Sequence, residues 1–73
     1  MPRLRPIKSL VLLKVLQKRY GYSARQGKGD HIVLFDDMGH MTIIQSGKEL
    51  RPNIIRSILR ETGLSWEDIE QYL

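Results

Sequence analysis

The sequence predicts a single α+β domain: a helix, a three-stranded antiparallel sheet, a second helix and a short C-terminal helix. Three observations predict it. Apolar residues recur at helical spacing on either side of a central stretch. That stretch holds short β-branched and aromatic runs divided by turns rich in glycine and aspartate. And 73 residues leave room for only one core.

Residues 1–7, with Pro2, Arg3, Arg5 and Pro6, read as an extended basic arm. Ser9 is placed to cap the first helix. Leu12, Leu13, Leu16 and Tyr20 fall on one helix face, and Lys14 and Lys18 on the other. Gly21 stops the helix. Leu10, Val11 and Val15 lie outside the apolar arc, so they either widen the core face or form a surface for a partner. Residues 22–25 suit a short strand, 26–30 a glycine-rich turn, 31–35 a strand, 36–39 a turn and 40–45 the returning strand. Residues 46–49 form the next loop, and Pro52 suits the first turn of a helix. Ile54, Ile55, Ile58 and Leu59 then mark a packed face opposite Asn53, Arg56 and Arg60, and Gly63 ends the helix. Ser65 and Asp68 form a capping box, with Asp in place of Glu or Gln, before a last helix over 66–73. Two helices covering one face of a three-stranded sheet is the layout of double-stranded-RNA-binding domains.

Composition removes several kinds of chemistry. With no cysteine there is no disulfide, iron–sulfur cluster or thiol nucleophile, which fits a reducing cytoplasm. Two histidines are too few for an ordinary structural zinc site, and no metal or other cofactor is expected. The longest apolar run, residues 10–13, is far too short to span a membrane or to serve as the apolar region of a signal peptide. Twelve Lys and Arg against eight Asp and Glu leave a net charge of +4. An excess of this size favours a polyanion such as nucleic acid, although a merely soluble basic protein carries it equally well.

Nucleophiles are scarce. There is no Gly-x-Ser-x-Gly, and Gly27-Lys28-Gly29 is too short for a phosphate loop and lacks its Lys-Ser/Thr ending. Asp36 and Asp37 read as turn residues. That leaves His31. RNA can be cut without metal when its 2′-hydroxyl attacks the neighbouring phosphate. The reaction needs a group to take the hydroxyl proton, and a histidine titrates in the right range. It also needs positive charge or N–H donors at the phosphate. Arg25, Lys28 and the amides of the turn at Gly29 are candidates, with Lys48 and Arg51 at the start of the second long helix. By itself, a histidine at a strand start is more often an ordinary surface residue. His40 reads as an exposed residue beside a turn, or as a neighbour of His31 across the hairpin.

Arg25-Gln26-Gly27-Lys28-Gly29-Asp30-His31-Ile32-Val33-Leu34 resembles the Arg-Gln…Gly-Ser-His-x-x-(Leu/Phe) segment of HicA toxins, also called the YcfA-like family. Gly47-Lys48-Glu49-Leu50 and Leu59-Arg60-Glu61-Thr62-Gly63-Leu64-Ser65, with Arg56 and Ile58 in register, resemble that family's C-terminal stretch. Leu16 followed by Gly21-Tyr22 resembles its Leu-x-x-x-Gly-Phe. The resemblance covers nearly the whole chain. It implies a double-stranded-RNA-binding-like fold, an mRNA interferase of a toxin–antitoxin pair, a HicB-like antitoxin as partner, and His31 as the catalytic residue. Asp30 stands where the family usually carries Ser or another small residue, and a carboxylate there should repel phosphate. Strand alternation would aim it at the opposite face from His31. The alternative is a module that binds RNA or an antitoxin without catalysis.

Overall fold

The computed structural model describes residues 3–73. Its elements are β1 (Ile7–Lys8), α1 (Ser9–Tyr20), β2 (Ser23–Gln26), β3 (His31–Phe35), β4 (Met41–Gln45), β5 (Glu49–Leu50), α2 (Pro52–Thr62) and α3 (Trp66–Glu70). The expected meander is present as an antiparallel sheet in the order β2-β3-β4, so the molecule is a small α+β fold. Strand bounds move by one residue: β2 runs to Gln26, and His40 precedes β4.

Alternation divides the meander into two faces. Ile32 pairs with Ile44, and Leu34 with Thr42; these point at the helices. Leu34, Ile44 and Thr42 are almost completely buried there, among Leu12, Leu16, Ile55 and Ile69. Each such aliphatic side chain contributes about 1.5–3 kcal/mol by leaving water. Thr42 Oγ1 donates to Glu61 Oε1 at 2.7 Å, fastening the sheet to α2. His31, Val33, Phe35, Met41, Ile43 and Gln45 occupy the other face. Phe35, Met41 and Ile43 remain exposed on it.

Several expectations need correction. The basic arm is partly built into the fold. Ile7 is buried and pairs with Leu50, and Leu4 packs against the core. Met1 and Pro2, also assigned to the arm, lie outside the described residues. The strands β1 and β5 escaped the sequence reading because two residues carry no period. Ser9 is the first residue of α1 rather than its cap; Lys8 holds that position. Ser9 instead stitches the helix start to the β4–β5 loop. Its N–H donates to Lys48 O at 2.8 Å, and its Oγ accepts from Lys48 N at 3.3 Å.

Val15 is buried, which widens the core face of α1, while Leu10 and Val11 are exposed. On α2, Ile55 and Ile58 are buried but Ile54 is exposed. Neighbours on a helix sit about 100° apart, so Ile54 and Ile55 cannot both point at the core centre. Both long helices end on a left-handed glycine, Gly21 and Gly63, as expected. The Ser65–Asp68 capping box forms with both of its hydrogen bonds, but the helix it starts ends at Glu70.

Candidate active site

His31 is the first residue of β3 and closes the turn that precedes it. Gly27 N–H donates to His31 O at 2.8 Å, and His31 N–H donates to Lys28 O at 3.2 Å. A Cβ on residue 27 would stand 3.0 Å from the His31 carbonyl oxygen, so this close approach favours glycine. Gln26 Nε2 braces the turn by donating to Gly29 O at 2.7 Å.

The imidazole sits among acceptors on one side only. Its Nδ1 lies 3.1 Å from Lys28 O and 3.4 Å from Asp30 Oδ1. A carbonyl cannot donate, so Nδ1 carries the hydrogen in the neutral ring and the Nε2 lone pair is left over. The side chain is about half exposed (52%), which leaves it open to a ligand.

Asp30 does not turn away from His31, because it belongs to the turn and not to the strand. Its carbonyl accepts from Ser46 N at 2.7 Å and from Ser46 Oγ at 2.9 Å. Its Oδ2 accepts from Gln45 Nε2 at 3.0 Å. That amide bond is the main reason its carboxyl is held below the usual range. Loss of water opposes it; a backbone hydrogen bond, His31 and Lys48 reinforce it.

A groove of about 320 Å³ opens beside the ring. His31, Gln45, Lys48, Glu49 and Arg51 supply its polar groups, so two cations share the opening with one carboxylate, and Ile43, Leu50 and Ile54 supply its apolar wall. Three of the residues singled out from the sequence therefore meet here, His31 lying seventeen positions from Lys48 and twenty from Arg51 in the chain. Arg51 is the N-cap residue of α2, and its guanidinium, which has no acceptor with which to cap a helix start, makes no side-chain hydrogen bond or ion pair among the described residues. Arg25, Lys28 and Gly29 lie outside the groove lining. Arg25 shares the open face of the sheet, paired with Val33 on β2. Lys28 and Gly29 contribute carbonyls to the turn, and the Gly27 amide is already spent on His31 O. Gln45, Ile43 and Ile54 were missed. Gln45 pairs directly with His31, and a correct hairpin register would have found it.

His40 lies at the far end of the same hairpin, about 15 Å away along the strands. Its Nδ1 is 2.8 Å from Asp36 Oδ2. Asp36 Oδ1 accepts from Met38 N at 3.1 Å and His40 N at 2.7 Å. Partial burial raises the Asp36 pKa, but the bonds from His40 and Met38 outweigh it and hold the carboxyl low. Asp36 thus serves the turn, as its sequence context indicated. Among the described residues, no three His, Asp or Glu side chains gather as a metal site would need.

A second groove, of about 430 Å³, opens at the same end of the sheet on the helix side. Leu10, Leu13, Ile32 and Ile44 make it mainly apolar, and Lys48 borders both grooves. Among the described residues, no helix is long and apolar enough to cross a membrane. In comparisons with known proteins, no family model matches the chain and no curated protein is significantly similar to it.

Proposed function

We propose that the chain is an endoribonuclease of the mRNA-interferase type, with a double-stranded-RNA-binding-like fold and His31 as its catalytic residue. The observation that carries this reading is the pairing of a free imidazole Nε2 with two cations in one groove. His31 Nε2 takes the proton of an RNA 2′-hydroxyl as that oxygen attacks the adjacent phosphorus. The bond to the 5′-oxygen breaks, and the imidazolium returns the proton to it. The products are a 2′,3′-cyclic phosphate and a 5′-hydroxyl end. Lys48 and Arg51 stabilise the charge that grows on the phosphate oxygens. Ile43 and Ile54 offer an apolar shelf for a neighbouring base. A shallow groove of this kind accepts a single strand more readily than a stiff duplex.

The 2′-hydroxyl is the nucleophile, so DNA is not a substrate. The test is an RNA oligonucleotide incubated with the protein in chelator, with the product ends analysed. Cyclic phosphate ends are expected, and a 2′-deoxy substitution at the cut site should abolish cleavage there. Ends carrying a 5′-phosphate would contradict the mechanism. A cytoplasmic toxin of this sort requires a neutralising partner, and the resemblance to HicA toxins names a HicB-like antitoxin for that part. The alternative is a non-catalytic RNA- or antitoxin-binding module. Salt-sensitive binding that leaves the RNA intact would favour RNA binding, and tight binding of an antitoxin without RNA binding would favour the antitoxin.

A further inference from the structure

We propose that Asp30 is a positioning residue for His31, that with the Lys28 carbonyl it holds the ring in the Nδ1–H form, and that Gln45 holds Asp30 in place. The catalytic part of this inference rests on the ribonuclease reading; the tautomer does not.

Three observations support it. First, the backbone of Asp30 is fixed. Its carbonyl takes two hydrogen bonds from Ser46, so residue 30 is tied to the loop that carries Lys48. Second, the two carboxylate oxygens do different work. Oδ2 is occupied by Gln45 Nε2 at 3.0 Å, which leaves Oδ1 aimed at His31 Nδ1, 3.4 Å away. Third, the best acceptor for the Nδ1 hydrogen is the Lys28 carbonyl at 3.1 Å, and a nearby negative charge adds to that preference. A free imidazole favours the opposite tautomer, with hydrogen on Nε2, and a ring in that form could not accept a proton there. The carboxylate also stabilises the imidazolium formed once the 2′-hydroxyl proton has been transferred.

The same charge lies near the groove that would hold phosphate, so Asp30 should weaken RNA binding while speeding the chemical step. A purely structural residue would not have opposite effects on these two quantities. Gln45 moderates the conflict by occupying one oxygen, and Lys48 lies close enough to Asp30 to offset part of its field.

The experiment uses ¹⁵N spectra of the ring nitrogens in the full chain at about pH 8.5, where an imidazole is neutral. A His40→Gln background leaves His31 as the only histidine signal. The wild-type ring is expected to show hydrogen on Nδ1 and a bare Nε2. Asp30→Asn, which keeps the shape and removes the charge, should raise the Nε2–H population several-fold. In cleavage assays it should lower kcat by about tenfold without raising KM. Gln45→Leu should shift both quantities in the same direction, by about threefold. Identical tautomer populations in wild type and Asp30→Asn would overturn the proposal. The expected tautomer shift in a protein that leaves RNA uncut would uphold the positioning role and overturn the ribonuclease reading.

Discussion

The two ends of the β3–β4 hairpin carry the same residue types, a histidine beside an aspartate, in different surroundings. At the His40 end, Asp36 accepts from two backbone amides and from the ring, so its bonding capacity goes into closing the turn. A Cβ added at Gly63 would lie 3.5 Å from His40 Nε2, which places that nitrogen against the end of α2. At the His31 end, the backbone holds the ring and Gln45 holds the carboxylate. The second ring nitrogen is left for a groove that also contains Lys48 and Arg51. A His–Asp pair therefore carries no function by itself. What distinguishes the two ends is whether the ring opens onto a groove and whether cations share that opening.

Charge in the groove gives the largest contrast. Lys48→Glu combined with Arg51→Glu should weaken RNA binding about 100-fold, measured by filter binding at fixed salt. A single Glu at Met38, in the exposed turn beside His40, should change affinity by less than about twofold, because salt screens it from the groove. Equal losses per unit of charge changed, four units in the groove against one at Met38, would mean that net charge, and not the groove, attracts RNA. Neutralising Lys48 or Arg51 singly is a milder version of the same comparison. Each should flatten the slope of log affinity against log salt by about 1. Arg25→Ala should flatten it less, since Arg25 lies outside the groove lining.

Acid sensitivity separates the ends next. Asp30 and Asp36 are both held below the ordinary carboxyl range. As pH falls, the unfolded chain takes up these protons before the folded chain does. The stability they contribute is complete above about pH 4, the unfolded value, and is lost as pH drops through the lower folded values. Asp36→Asn should lower Tm at neutral pH, and its Tm should then fall less on acidification than that of the wild type. If the variant keeps the wild-type acid profile, the Asp36 hydrogen bonds are not a source of that sensitivity. The smallest expected effect is the effect of His40→Ala on cleavage, which should be none, although its Tm should fall through loss of the bond to Asp36.

The layout was legible wherever a pattern repeats. The α1 face, the strand over 31–35 and the Ser65–Asp68 cap all follow from residue type and spacing, whereas the faces of that strand do not, because residues 32–35 are all apolar. What the sequence concealed depends on how distant segments meet. The pairing of Ile7 with Leu50 involves two residues on each side and has no period to detect. Ile54 reads as core by residue type but lines the groove, because its helix offers it no covering layer. Within the candidate site, His31, Lys48 and Arg51 were each identifiable as residue types with useful chemistry. Their meeting depends on the hairpin register and on the Ser9–Lys48 bonds that hold the loop. Asp30 was misjudged because alternation was extended one residue beyond the strand.

The most direct measurement compares single-turnover cleavage of one RNA, in chelator, by the wild type, His31→Ala and His40→Ala. Removal of His31 should lower the rate by about 10²–10⁴-fold while RNA affinity stays near that of the wild type. Removal of His40 should leave the rate unchanged. Equal rates for the wild type and His31→Ala would contradict the central claim that the free nitrogen of this ring performs the chemistry.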